Sequence, residues 1–252
     1  MKISRLSIAP VKGLGLVHPQ EVVLGRSGVE NDRRFYLVDP DGRLTNNKTC
    51  GELMQVRPDV SDGSLTLAFP TGKTVGGHVE LGDAVETSFY GRPVTGRYVE
   101  GPWSEALSDH AGRPLRLVQA DKPGAGVDRI HVVSLISDGS LAALGRRAGV
   151  DRVDGRRFRM TIELEGCEEH EEDGWIGREV KVGRARIRVT GPVGRCVVTT
   201  RNPDSGVSDL DTLGVLAGYR TLREGKSFGC GVCGDVLAEG AVRVGDSLVV
   251  GR

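Results

Sequence analysis

Apolar and polar positions alternate along this chain in short runs separated by Gly, Pro, Asp and Ser. Residues 2–9 and 20–24 carry the two-residue period of half-buried strands, and Arg33–Asp39 adds a third that ends at the turn Pro40-Asp41-Gly42. Further strands are predicted over 64–69, 78–81, 85–89 and 94–99, with Gly or Pro between them. Residues 179–190 set Val, Ala and Ile against Lys and Arg, which predicts one half-buried strand leading straight into a cysteine-bearing loop. Val242–Val250 reads as hairpin-like, turning at Gly245-Asp246. Helices are predicted at Trp103–Ala111, Ser137–Arg147 and Asp209–Leu222. The second opens on Ser and Asp and closes on basic residues. The third has acids early and Arg220 and Arg223 late, as the helix dipole prefers. Many short, evenly spaced strands with few helices give a mainly β, α+β chain built as a barrel or sandwich. Asp121–Asp128, rich in Gly and Pro, reads as a hinge or a mobile loop.

Composition narrows the function classes. The 252 residues are 38% hydrophobic and 27% charged, in the range of a globular protein. Lys plus Arg is 34 and Asp plus Glu is 34, so no net field favours nucleic acid or an anionic membrane. Aromatics at 4% argue against a base-stacking surface. No apolar run approaches the ~18 residues of a membrane span, and the charged N-terminus lacks a signal-peptide core. Five scattered cysteines, an odd number, are expected as reduced thiols in a cytoplasmic protein.

The candidate chemistry centres on Gly191-Pro-Val-Gly-Arg-Cys-Val-Val-Thr-Thr-Arg-Asn-Pro-Asp-Ser-Gly206. Arg195 beside Cys196 favours the thiolate, the form that ligates metal or attacks, and the glycines let backbone amides approach a ligand. The competing reading is a strand-edge cysteine packed as a small hydrophobe. Lys12, in Pro10-Val-Lys-Gly-Leu-Gly15, is either a phosphate-reaching lysine or a solvated loop lysine. Asp32-Arg33-Arg34 is either a structural ion pair or an anion fork. Arg156, Arg157 and Arg159 crowd ahead of a strand and call for an anionic partner, unless they form a solvated basic edge. Cys167-Glu-Glu-His170 with Cys230-Gly-Val-Cys233 has zinc-like spacing, but His170 sits in an acidic run that reads as solvated loop.

In order, these pieces resemble the MOSC family, named for the C-terminal domain of molybdenum cofactor sulfurase. They are most similar to its two-domain branch, which includes the mitochondrial amidoxime-reducing component. Ile8-Ala-Pro-Val-Lys12 resembles the family's Tyr-Pro-Val-Lys-Ser opening, and Gly28–Asp39 its Gly-Leu-x-x-Asp-Arg stretch. Phe158-Arg159-Met160-Thr161 resembles Phe-Arg-Pro-Asn, and Glu172-Asp173-Gly174-Trp175 resembles Glu-Asp-x-Trp. The run from Arg195 to Gly206 resembles the cysteine motif, and Phe228-Gly229 with Val242–Asp246 the closing strands.

The resemblance implies an N-terminal β-barrel-like domain over 1–100 and a MOSC β-barrel with a few short helices over 101–252. It implies a molybdenum–molybdopterin cofactor, with Cys196 ligating the metal. Lys12, Gly13, Arg33, Arg34, Arg157, Arg159, Thr161, Arg195, Thr199 and Thr200 would lie around the cofactor. Asp173 would handle protons or bind pterin amines. Gly13 stands where the family has Ser, Met160 and Thr161 where it has Pro and Asn, and Cys230 where cysteine is unusual. The implied activity is reduction of a small N-hydroxylated or N-oxide substrate by oxygen-atom transfer. With no cysteine-rich iron–sulfur segment in these residues, electrons are expected from a separate reductase or ferredoxin-type protein. The alternatives are sulfur transfer through a Cys196 persulfide, and non-catalytic cofactor storage or delivery.

Overall fold

The computed structural model describes residues 1–122, 132–223 and 227–251. The 123–128 part of the expected hinge lies outside them. The largest sheet runs, in spatial order, Lys2–Leu6, Ile162–Glu165, Val133–Ser137, Ser227–Ala238, Ala185–Gly194, Glu179–Val182 and Leu248–Val250, with Leu222–Arg223 pairing off Ser227–Ala238. Its two edges meet. Lys2 bridges Ser247, and the Leu248 amide donates to the Met1 carbonyl at 3.2 Å. The sheet therefore closes into a barrel, which removes the exposed edges that would otherwise template aggregation.

Alternation fills this barrel. Along Ala185–Gly194, Ala185, Ile187 and Val189 are buried while Arg186, Arg188 and Thr190 face solvent. Ile3, Leu6, Leu135, Ile162, Leu164, Val180, Val182 and Val232 complete the interior. Each such side chain contributes about 1.5–3 kcal/mol by leaving water.

The N-terminal unit is built on a five-stranded sheet ordered Leu44–Thr45, Phe35–Val38, Arg116–Ala120, Arg92–Glu100 and Glu80–Phe89. The hairpin strands Arg57–Ser61, Ser64–Ala68 and Thr74–His78 stand beside it. Helix α1, Trp103–Ala111, closes that core through Trp103, whose Nε1 donates to the Leu65 carbonyl at 3.1 Å. The two units exchange strands. Lys2–Leu6 belongs to the large barrel, Arg116–Ala120 to the N-terminal sheet, and Gly240–Arg243 pairs with Glu21–Gly25. Among the described residues no helix is long and apolar enough to cross a membrane.

Four sequence expectations are corrected. Residues 179–190 form a hairpin, not one strand, because Gly183 turns the chain at φ +56°. Residues 80–81 and 85–89 belong to one long strand, Glu80–Phe89, held along its length by Arg92–Glu100, while His78 ends the separate strand Thr74–His78. Helix α2 runs Asp138–Ala148, and the third helix, α3, is only Thr212–Ala217. Asp211 caps it by accepting from Gly214 N, and past Gly218 the chain turns to join the strand Ser227–Ala238. The two halves of Val242–Val250 do not pair with each other, since they join different sheets.

Candidate functional site at the seam of the two units

Cys196 leaves the strand Ala185–Gly194 in extended conformation and precedes a single 3-10 turn, Val197–Thr200. The following loop lies against the N-terminal unit. Gly206, at φ +73°, packs so closely on Gly51 that a side chain at either position meets backbone of the other. Gln55 Nε2 donates to the Ser205 carbonyl at 2.8 Å, and Arg201 Nη2 donates to the Lys48 carbonyl at 3.1 Å. Asp204 takes bonds at 2.8 Å from Arg57 on one side and Arg156 on the other. The cysteine is thus presented at a seam, with its loop clamped from both units.

Arg33 and Arg159 converge on the same seam. Both adopt the left-handed conformation, at φ +52° and +53°, which non-glycine residues rarely take and which clusters at functional positions. Arg33 Nη2 approaches the Arg159 carbonyl at 3.4 Å, Arg33 is ion-paired with Asp32, and Arg159 Nη2 donates to the Leu14 carbonyl at 2.8 Å. Because Arg33 is left-handed, the strand starts at Phe35, two residues later than its sequence suggests. Lys12 follows Val11 into the same region, with its Nζ 5.9 Å from the centre of the Phe89 ring. Gly13, at φ +96°, sits where a Cβ would lie 3.1 Å from Asn46 and from the Asn47 nitrogen. Asn47 Nδ2 is a buried donor with no partner among the described residues. A glycine cradle, an orphaned amide donor and nearby cations make an environment fitted to an anion.

Other predicted residues are engaged elsewhere. Arg195 does not point at the Cys196 thiol. Its buried guanidinium donates to the carbonyls of Cys230 and Phe158 and to Met160 Sδ, which makes it a brace inside the barrel wall. Burial lowers its pKa, opposed by the nearby thiols of Cys230 and Cys196. The anionic partners of Arg156 and Arg157 are this chain's own carboxylates. Arg156 forks onto Asp204 and also binds Asp154, while Arg157 binds Asp209 at 2.7 Å and the Thr200 carbonyl at 3.2 Å. Thr199 donates back to the Cys196 carbonyl and meets Thr212 at 2.7 Å; Thr200 donates to the Val197 carbonyl and meets Ser208 at 2.8 Å. These hydroxyls shape the cysteine loop. Thr161 is buried against Ser134, and Arg34 reaches Asn31 at 3.3 Å.

The acidic run around His170 is not a solvated loop. Glu172 is fully buried and accepts from Ser137 Oγ and Ser140 Oγ at 2.6 Å each, and His170 Nδ1 lies 3.0 Å from Ser140 Oγ. Asp173 accepts from Arg220 Nη2 at 2.6 Å. Cys230 and Cys233 lie in the buried strand Ser227–Ala238. Burial pushes Cys230 up to about 11, and burial with neighbouring acids pushes Cys167 up to about 12. Among the described residues no group of three or more His, Cys, Asp or Glu side chains is arranged to hold a metal ion. Sequence reasoning missed Arg57, Asn46 and Asn47, and took Arg201 and Asp204 only as part of the motif's turn. The only local signal was the polar turn Asn46-Asn47-Lys48, whose burial no linear pattern reveals.

The barrel and its seam define a β-barrel protein that presents the half-buried Cys196 beside a loop clamped between the two units. The chain belongs to the MOSC family: residues 125–249 match the MOSC domain and residues 1–101 match the MOSC N-terminal beta barrel domain. It is 37% identical over 246 residues to mitochondrial amidoxime reducing component 2 of Rattus norvegicus, covering 86% of this chain and 72% of that protein. It is 28% identical over 265 residues to mitochondrial amidoxime-reducing component 1 of Xenopus laevis, covering 89% and 72%. Against molybdenum cofactor sulfurase of Drosophila pseudoobscura pseudoobscura it is 27% identical over 225 residues, covering 81% of this chain but 27% of that protein.

Proposed function

We propose that this protein binds a molybdenum–pterin cofactor at the seam, with Cys196 as the metal's thiolate ligand, and reduces small N-hydroxylated or N-oxide molecules. The observation that carries the reading is the meeting of Cys196's clamped loop with a charged cradle, in a chain matching both domains of this family. A soft thiolate suits a molybdenum–sulfur centre. Lys12, Arg33 and Arg159 supply positive charge for the phosphate and pterin, and Asn47, whose backbone packs on Gly13 and whose Nδ2 is buried without a partner among the described residues, supplies a neutral donor. Thr199, Thr200, Arg157 and Asp204 position the loop that carries the cysteine. Bound there, such a cofactor supplies two-electron oxygen-atom transfer. Asp173 Oδ1 has no partner among the described residues and is assigned the proton-handling role. Electrons come from a separate reductase or ferredoxin-type protein, in the cytoplasm.

A second reading, sulfur transfer through a Cys196 persulfide, is supported by the similarity to molybdenum cofactor sulfurase. Elemental analysis with a pterin assay, on protein expressed in a host that makes the cofactor, separates the two. Near-stoichiometric molybdenum that is lost in Cys196→Ala, with the fold intact, supports the reductase. No molybdenum, with cyanide-releasable sulfur on Cys196, supports sulfur transfer. Metal content unchanged in Cys196→Ala overturns the ligand assignment.

A further inference from the structure

A cavity of about 390 Å³ is lined by Asp173, Pro192, Tyr219, Arg220, Thr221 and Gly229. That volume accommodates a small organic molecule. Gly229 pairs across the barrel ladder with Gly194, so the cavity stands beside the strand end that leads into Cys196.

The cavity carries an unusual pair. Arg220 donates from Nη2 to Asp173 Oδ2 at 2.6 Å and from Nε to the Gly229 carbonyl at 3.1 Å. These bonds fix the guanidinium and carboxylate side by side. Each keeps capacity beyond these bonds: Asp173 Oδ1 has no hydrogen-bond partner among the described residues, and Arg220 spends Nε and Nη2 on Gly229 and Asp173, with Nη1 its remaining donor group. Tyr219 is pinned, with the Arg147 guanidinium 4.1 Å from its ring centre and the His170 ring 5.6 Å away. Its hydroxyl is buried with no partner among the described residues, and burial pushes it up to about 12, so it stays neutral.

Charge decides what such a wall accepts. A carboxylate ligand would satisfy Arg220 but face Asp173, and an amidinium would satisfy Asp173 but face Arg220. A neutral group with an acceptor beside a donor meets both: its oxygen takes the Arg220 Nη1 hydrogen, and its N–H goes to Asp173 Oδ1. We propose that this cavity binds the carboxamide or lactam edge of a small planar molecule, read jointly by Arg220 and Asp173. The site stands on these side chains and not on any cofactor, so it is tested without one.

The test titrates the full chain with three probes of one shape, benzamide, benzoate and benzamidinium, followed by ligand-observed NMR. Benzamide is expected to bind at least tenfold more tightly than either ion. In Arg220→Met, which leaves Asp173 alone, the preference is expected to swing to benzamidinium; in Asp173→Ala it swings to benzoate. A merely structural pair would change affinity without that swing. If a variant does not fold, the wild-type ranking decides. Preference of the wild type for either ion, equal binding of all three, or no binding overturns the proposal.

Discussion

Arg156 grips Asp204 through both ends of its guanidinium, Nη1 to Oδ1 and Nη2 to Oδ2, each at 2.8 Å. The arginine belongs to the barrel side of the seam and the aspartate to the cysteine loop, while Arg57 of the N-terminal unit takes Oδ1 as well. This fork sets where the Cys196 loop sits. Asp204's side chain is 56% exposed, so screening limits the pair despite its geometry. A double-mutant cycle with Arg156→Gln and Asp204→Asn is expected to give a coupling energy of about 1 kcal/mol in urea unfolding. A coupling indistinguishable from zero would remove the fork as a loop anchor.

Acid should loosen the same seam. The Arg156 bond holds Asp204 below its usual carboxyl range, and the Arg157 bond does the same for Asp209. Groups with depressed folded values stabilise the protein above the unfolded value, about 3.9 for Asp, and lose that contribution as pH falls through the folded value. Stability is therefore expected to fall from about pH 4 downward, less steeply in Asp204→Asn. Thermal unfolding from pH 6 to pH 3 measures it, and parallel curves for the two proteins contradict the assignment.

Thiol alkylation should be selective. Cys50, Cys230 and Cys233 are buried, and Cys167 is pushed up to about 12, whereas Cys196 is half-buried on a loop. Iodoacetamide at pH 8 is expected to modify Cys196 first, read by peptide mass spectrometry. Earlier modification of Cys167 would mean that the loop shields Cys196.

Glu172→Ala is expected to be severe, at about 3 kcal/mol in urea unfolding. It would leave the Ser137 and Ser140 hydroxyls buried without their shared acceptor. A loss below about 1 kcal/mol would show that the pocket relaxes and rebuilds these bonds.

Gly13→Ala probes the cradle. A Cβ there must sit 3.1 Å from Asn46 in a left-handed conformation, so a cost of about 1–2 kcal/mol is expected, with weaker retention of any bound anion. Wild-type stability and wild-type molybdenum content together would remove Gly13 from the site.

Much of this was legible in the chain. The two-residue period located most strands, and the signals around Trp103 and Ser137 located two helices within a residue or so, because each depends on its own side chains. The long Glu80–Phe89 strand and the short α3 were not legible, since partner strands and Gly218 decide their limits. The bracing of Arg195 against the carbonyls of Cys230 and Phe158 was not legible, because those partners lie far away in the chain.

The β character, the motif around Cys196, the cationic residues that could serve it and the family they resemble are readable from the chain alone. Those follow from local periodicity, residue type and motif order. It takes the folded chain to bring Arg33 and Arg159 together and to set Arg156 and Arg157 against the chain's own Asp154, Asp204 and Asp209. The tertiary structure also decided that Glu172 is buried, and that Asp173 and Arg220 share a cavity wall. Asp173 and Arg220 are far apart in sequence and meet only once the barrel has closed, so no linear pattern specifies their contact.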